Sequence, residues 1–218
     1  MKMFSQIGRA IGVGALTVCV WASAAEAGSL RLKSRSIDTA EKPSLGQVAS
    51  LENKHIILAF GTPIAAAKLK ALKLAGVIPL ESVPDNGLSA FALPGADLSA
   101  IPDLEWVGAL DAADKISAKM NWARSEERWA VVEFFPDATA DQALAAIEAA
   151  GGKLRKHPNL RPGSYLVYGD AGVTESLAGM DAVSFIFPAS KALITGEPVH
   201  YCPGPRTELG PLANYVAN

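Results

Sequence analysis

The chain has 218 residues, of which 50% are hydrophobic and 19% are charged, and its formal net charge is −2 at pH 7. This length suits one or two small domains. Such a mildly acidic chain lacks the basic stripes that bind phosphate backbones, which disfavours a nucleic-acid-binding protein.

The first 27 residues have the pattern of an export signal. Lys2 and Arg9 give a basic start, residues 11–25 are mostly apolar, and Ala25-Glu26-Ala27 is a small-x-small cleavage motif. Because the apolar stretch is short for a membrane span, the pattern favours cleavage over the alternative of an uncleaved anchor. We therefore expect a secreted or periplasmic protein without membrane attachment after cleavage.

A first block of alternating strand and helix patterns runs from His55 to Ile116. Its apolar run at 55–60 predicts a buried strand. Thr62-Pro63 predicts the start of a helix and Gly76 its end. Strands are expected at 77–83, 88–93 and 105–110, with a short helix at 97–101. The turn Pro84-Asp85-Asn86-Gly87 joins two of them, and Gly87 is expected to accept positive φ there.

A second block, from Arg128 to Ala192, repeats this pattern. Thr139 and Gln142 form a capping box that predicts the start of a long helix, which Gly151-Gly152 ends. Strands are predicted at 129–135, 153–158, 164–168 and 183–187, and a second helix at 173–178. Two copies of one pattern predict an α+β fold with two tandem βαββαβ units of the ferredoxin-like kind.

These patterns divide the chain into six segments. The expected order is a signal peptide at 1–27, a linker at 28–53, a first domain at 54–118, a second linker at 119–127, a second domain at 128–194 and an irregular proline-rich tail at 195–218. Arg31, Lys33 and Arg35 alternate with small residues in the first linker, which we interpret as mobile.

The chain shows no catalytic or metal-binding motif. Its histidines, His55, His157 and His200, do not have the spacing of metal ligands, and neither H-E-x-x-H nor G-x-S-x-G occurs. Cys202 is the only cysteine after the signal peptide, so no intramolecular disulfide is expected. We predict that the protein is not an enzyme, binds no metal and needs no cofactor.

Several predicted strands carry large apolar residues on both faces. In a βαββαβ unit the helices cover only one face of the sheet, so the other face has to contact something else. Two interpretations stay open: the two units cover each other, or the open face docks on a partner protein. An RNA-reading sheet is disfavoured by the acidic charge and the export signal. The candidate docking residues are Phe91, Trp106, Phe185 and Phe187.

Four stretches of the first unit resemble the N-terminal prodomains of secreted subtilisin-like proteases of the fervidolysin type. They are residues 55–60, Ala75-Gly76-Val77, Val83-Pro84-Asp85-Asn86 and Leu104-Glu105-Trp106-Val107-Gly108, and the second copy shows the likeness more weakly. The resemblance implies a propeptide-like fold that assists the folding of a protease and then inhibits it. It also implies that the sheet docks on two helices of the protease.

In that family an extended segment after the last strand lies in the active-site cleft of the protease. The matching stretch of the first unit is Ala113-Asp114-Lys115-Ile116-Ser117. A segment of this kind binds as an added strand through main-chain hydrogen bonds. The candidate residues for this contact are Asp111, Asp114, Lys115 and Ile116, with residues 189–195 as the equivalent segment of the second unit.

The chain departs from the family because the Asp, His and Ser motifs of a subtilisin-like protease are missing from it. Residues 201–205 and 210–215 resemble the start of a matrixin-like zinc protease domain. We predict a non-catalytic secreted protease prodomain or an inhibitor-like protein-binding module, whose partner is a subtilisin-like or zinc protease. The alternatives are a truncated front part of a zinc metalloprotease precursor and a structural interaction module.

Overall fold

The computed structural model of the chain describes residues 28–40, 50–120, 123, 127–155, 157–158 and 160–195. Its architecture is α+β, with two four-stranded antiparallel sheets and a small two-stranded hairpin. The fold class predicted from the sequence is confirmed at this level. The expected signal peptide, Cys202 and nearly all of the expected tail lie outside the described residues.

The hairpin consists of β1 (Ser29–Arg31) and β2 (Ser36–Asp38), which pair antiparallel. Leu30 and Ile37 are partners across the hairpin, and both are buried against Ile57 and Ala59 of the first sheet. The expectation of a mobile linker over 28–53 is therefore wrong for residues 29–38. The two apolar residues lie on one side of the hairpin, and their burial fixes it to the sheet.

The first sheet has the order β4-β5-β3-β6. Its strands are β3 (Lys54–Phe60), β4 (Val77–Val83), β5 (Gly87–Ala92) and β6 (Leu104–Gly108), with helix α1 (Ala66–Leu74) after β3 and a 3-10 turn at Leu98–Ala100 before β6. Ile56, Leu58 and Phe60 alternate along β3 and pack with Leu72 of α1 in one apolar cluster. Helix α1 therefore covers one face of this sheet.

Helix α1 begins later than the sequence predicts. Its N-cap is Ala65, which provides no side-chain cap. The Thr62 hydroxyl donates instead to Asp103 at 2.5 Å, and Lys68 Nζ donates to the same carboxylate at 2.9 Å. A hydroxyl engaged across the structure does not cap a helix, so the predicted start at Thr62-Pro63 is wrong. The predicted end is confirmed by Gly76, whose φ is 78°.

The turn between β4 and β5 takes a different backbone from the one expected. Asp85 and Asn86, with φ of 62° and 58°, adopt the left-handed region, whereas Gly87 does not. Gly87 is needed for another reason: a Cβ there would lie 2.5 Å from Cδ1 of Leu30. The glycine therefore gives the hairpin room to pack against the sheet.

The second sheet has the order β10-β7-β9-β8. Its elements are β7 (Arg128–Phe134), α2 (Ala140–Ala149), β8 (Lys153–Arg155), β9 (Ser164–Gly169), α3 (Ala171–Ala178), β10 (Val183–Pro188) and α4 (Lys191–Thr195). The capping box of α2 is confirmed, since Thr139 Oγ1 accepts from Gln142 N and Gln142 Oε1 accepts from Thr139 N. Ala130, Val132 and Phe134 of β7 pack with the helices.

The segment after β6 joins the two sheets directly. Ala112–Lys115 form a 3-10 helix, and Ile116 then makes a parallel bridge to Ile186 of β10. Ser117 N donates to the carbonyl of Ile186 at 2.9 Å. This bridge fixes the connecting segment to the edge of the second sheet.

Two leucines on α1 test how the first sheet is held. Leu72 is fully buried, whereas Leu74 is 81% exposed on the same helix. We expect Leu72→Ala to lower the free energy of unfolding by about 2–5 kcal/mol, because the deletion leaves a cavity. Leu74→Ala is the matched control, with little change expected. Urea unfolding measures both, and equal effects would contradict the described packing.

Candidate functional site

The faces without helices carry the residues of interest. On the first sheet this face includes His55, Ile57 and Ala59 of β3 with Phe91 and Trp106, their cross-strand neighbours. On the second sheet it includes Glu133, Phe185 and Phe187. Contacts between these faces, and between each face and the hairpin, define the site.

Three basic residues of the hairpin each bind an acid from a different part of the chain. Arg31 pairs with Asp85 in the turn between β4 and β5 at 3.2 Å. Lys33 pairs with Glu133 of β7 at 2.6 Å, and its ammonium lies 4.8 Å from the centre of the Phe185 ring. These contacts tie the hairpin to both sheets.

The third pair joins the hairpin to the connecting segment. Arg35 binds Asp114 through two hydrogen bonds, Nε to Oδ1 at 2.5 Å and Nη2 to Oδ2 at 3.0 Å. Asp114 and Glu133 are buried, so each carboxylate depends on its partner for compensation of its lost hydration. The alternation of basic residues that suggested a mobile linker is thus the charge pattern of a docked hairpin.

A second cluster joins the sheets around His55. Its Nδ1 lies 2.5 Å from Asp181 Oδ2, and its Nε2 lies 2.9 Å from Asp137 Oδ1. The imidazole is buried, stacks on Phe135 with 4.1 Å between ring centres, and meets the Phe91 ring edge at 5.0 Å. Asp137, Asp181 and Phe135 all come from the second half of the chain.

The two carboxylates favour the charged form of this histidine. Burial lowers the pKa of His55, but the hydrogen bonds and charges of Asp181 and Asp137 outweigh burial and raise it above the ordinary value of 6.5. For Asp181 the effects have the opposite signs. Burial raises the pKa of its carboxyl group, but the bonds to His55 and the charge of Lys115 outweigh burial and bring the pKa below 3.8. When His55 is protonated, both ring nitrogens donate to carboxylates, and neither is then free to act as a general base.

The residues predicted to insert into a protease cleft mostly contact other parts of this chain, although Asp111 is exposed. Asp114 and Lys115 are buried; Lys115 Nζ donates to the carbonyl of Met180 at 2.7 Å. Burial lowers the pKa of Lys115, and the charge of Asp181 opposes that shift. Asp111 caps the 3-10 helix, and Ile116 forms the bridge to β10. The expected extended conformation is therefore wrong for residues 112–115, which form a 3-10 helix, whereas a contact with a partner stays a prediction.

The four predicted docking residues lie on the helix-free faces but are largely covered. Phe185 is only 9% exposed, and Trp106 packs against the cluster that contains Leu30 and Ile57. Phe91 and Phe187 are half-buried, with Phe187 beside Phe185. Exposed apolar area on the first sheet remains at Ile78 and Leu93, which are 43% and 39% exposed.

The acids that complete the site were not predicted from the sequence. Asp137 and Asp181 follow β7 and precede β10, where acids are common as turn residues, so their type alone gave no signal. The hairpin, in contrast, could have been predicted from the sequence. Leu30 and Ile37 lie on either side of three alternating basic residues, which is a pattern typical of two paired strands with one buried face.

In the part of the chain that the structure describes, no three His, Cys, Asp or Glu side chains are grouped so as to hold a metal ion. None of the helices described there has the length and apolar character needed to cross a bilayer. A scan of protein-family models, a search of curated proteins and a search of solved structures each found no match.

The Arg35–Asp114 pair gives a test of the docked hairpin. We expect Arg35→Gln to lower the free energy of unfolding by about 2 kcal/mol, because it leaves a buried carboxylate without its main partner. Arg31→Gln is the matched control and should cost much less, since that pair is more exposed. Adding Asp114→Asn to Arg35→Gln should restore part of the loss; no restoration would contradict the pairing.

The His55 cluster predicts a dependence on pH. Because the pKa of His55 is raised on folding, its contribution is complete below about 6.5 and is lost as pH rises through the folded-state pKa. The contribution of Asp181, whose pKa is lowered, is lost as pH falls through its folded-state value. The wild type should therefore exceed His55→Gln in stability most at mildly acidic pH, with a smaller difference at pH of about 9.

Nuclear magnetic resonance titration of the His55 ring protons measures the same quantity directly. The wild-type midpoint should lie above 6.5, and Asp181→Asn should lower it because one carboxylate is lost. A wild-type midpoint at or below 6.5 would show that the carboxylates do not dominate over burial.

Proposed function

We propose that this chain is a non-catalytic protein-binding module of an exported protein, acting as a prodomain or inhibitor of a secreted protease. The single observation on which the proposal rests most is a helix-free sheet face that stays partly exposed and apolar beside β4. Ile78 and Phe91 are cross-strand partners there, and Leu93 continues the same side of the β5 strand. We call Ile78, Phe91 and Leu93 the open-face patch.

The arrangement of the elements supports this proposal. Numbered within each half, both sheets have the strand order 4-1-3-2. The second half alternates strand, helix, strand, strand, helix, strand, and the first half has the 3-10 turn Leu98–Ala100 in place of the second helix. We take these as two βαββαβ units of the ferredoxin-like and propeptide-like kind.

The chemistry of the described residues agrees with a binding role. The one buried histidine has carboxylates at both ring nitrogens, and Lys115 donates to a backbone carbonyl. Among the described residues, no group of three His, Cys, Asp or Glu side chains could hold a metal ion. We therefore assign no catalytic role to them.

In the folded chain the four predicted docking aromatics expose less surface than a partner would need to use all of them as anchors. Trp106 and Phe185 contact the hairpin, which leaves less of their surface for a partner. Insertion of residues 111–116 into a protease cleft requires breaking the Ile116–Ile186 bridge and the Arg35–Asp114 pair. We propose that docking begins at the open-face patch, which needs no such rearrangement.

Binding to a panel of secreted subtilisin-like and zinc proteases tests this function. The intact protein should bind or inhibit at least one of them, and Ile78→Lys should weaken binding by about 2 kcal/mol or more, because a charge then occupies the centre of the contact. Leu74→Lys, on the exposed side of α1, is the matched control with no expected change.

Trp106→Ala separates direct docking from an effect on the fold. Because Trp106 contacts the hairpin cluster, it should lower stability more than Ile78→Lys does while affecting protease binding less. The function is refuted if the intact protein binds no protease of the panel.

The second candidate is the non-catalytic front part of a zinc metalloprotease precursor. It is favoured by the likeness of residues 201–205 and 210–215 to the start of such a domain. Sequencing the reading frame past Asn218 distinguishes the candidates, since a following H-E-x-x-H motif supports the precursor.

A further inference from the structure

A cleft of about 310 Å³ lies where the hairpin, the two helix-free sheet faces and the connecting segment meet. Its apolar lining includes Leu32, Ile57, Val83, Leu110, Phe135 and Phe185. The cleft thus lies between the two halves of the chain. It is on the face of the first sheet that carries Ile57, opposite the face that packs against α1.

We propose that this cleft binds a small amphipathic anion, with an apolar body between the sheets and one carboxylate-like group at the mouth. This inference is independent of the protease partner proposed above, because it uses the cleft and not the open-face patch. It assigns to the hairpin a second role as one wall of a ligand site.

The size of the cleft suits a small ligand. Ligand pockets start at about 300 Å³. An apolar cavity of about 150 Å³ holds one benzene molecule, so a cleft of twice that size takes roughly ten to twelve heavy atoms.

The lining of the cleft favours an apolar group of the ligand. The Ser89 hydroxyl is engaged with the backbone of Glu81, and the Ser184 hydroxyl donates to the carbonyl of Glu133 at 3.1 Å. Since these two hydroxyls already have partners within the protein, a polar group of the ligand placed against them would lose hydration without gaining a bond there. A hydrocarbon chain or an aromatic ring loses nothing of this kind.

The charges at the mouth favour an anion. The side chains of Arg31 and Lys33 are 70% and 59% exposed, whereas those of their partners Asp85 and Glu133 are 17% and 10% exposed. The positive member of each pair therefore faces water. Arginine has five N–H donors and lysine three, more than these pairs consume, which leaves donors for a carboxylate.

Two further acids border the cleft, and both have basic partners. Asp114 is buried and bound to Arg35, and Glu81 lies 3.7 Å from Arg161. Arg161 also approaches Glu133 at 3.6 Å. Glu81 is the only one of these acids that is as exposed as its partner, so the mouth keeps an excess of accessible positive charge.

Calorimetric titration with decanoate, decanol and decyltrimethylammonium, all below their aggregation limits, tests the proposal. Decanoate should bind the purified protein at least about tenfold more tightly than the cation of the same chain length. Arg31→Gln should weaken decanoate about threefold and leave decanol unchanged, because only the charge contact is lost. Equal affinities for the anion and the cation would overturn the charge assignment, and no binding of decanoate would overturn the site.

Filling the cleft is the steric test. Leu110→Trp should reduce decanoate affinity at least about tenfold, whereas Leu74→Trp, on an exposed position of α1, should not. Methyl resonances of the wild type serve as a second measurement that does not depend on the folding of a variant. Decanoate should shift the signals of Ile57 and Leu110 and spare those of Ile147 in the core of the second half; shifts confined to Leu74 and Leu93 would overturn the location.

Discussion

The rest of the structure depends on how the helix-free face of each sheet is buried. A sheet with helices on one side leaves its other side apolar, and such a face has to be covered. Here the covering comes from within the chain: Leu30 and Ile37 of the hairpin pack on Ile57 and Ala59, and Phe135 stacks on His55. Of the two interpretations that the sequence left open, contact between the two halves thus accounts for much of the burial of these faces.

Charge pairing then fixes the arrangement that apolar burial alone would leave loose. Apolar contacts are non-directional, whereas Arg35 binds Asp114 through two defined hydrogen bonds. Glu133 and Asp114 are buried carboxylates with basic partners on the hairpin, so displacing the hairpin removes Arg35 from Asp114 and leaves Glu133 with only the longer contact to Arg161 at 3.6 Å. The hairpin therefore has one preferred position between the sheets.

Local patterns in the sequence predicted most of the regular elements and little of the site. The strand at 55–60 and the capping box at Thr139 depend on neighbouring residues, and both are present in the structure. The start of α1 was wrong because Thr62 bonds to Asp103, which is 41 residues away. The cluster around His55 joins residues 82 and 126 positions apart, and no local pattern contains such a pairing. The hairpin was predictable from its apolar pair, but its alternating bases were interpreted as part of a mobile linker.

The sequence separation of these contacts also sets an order of events for the growing chain. The first sheet closes once residue 108 is available, because β3 then has both neighbouring strands. Lys33 has to wait for Glu133, 100 residues later, and His55 for Asp181. Contacts between distant residues form late because loop closure costs entropy. A chain that emerges from its N-terminus therefore makes its first folded sheet before Phe135 can cover the His55 side of the helix-free face. That side is available to a chaperone until the second half arrives.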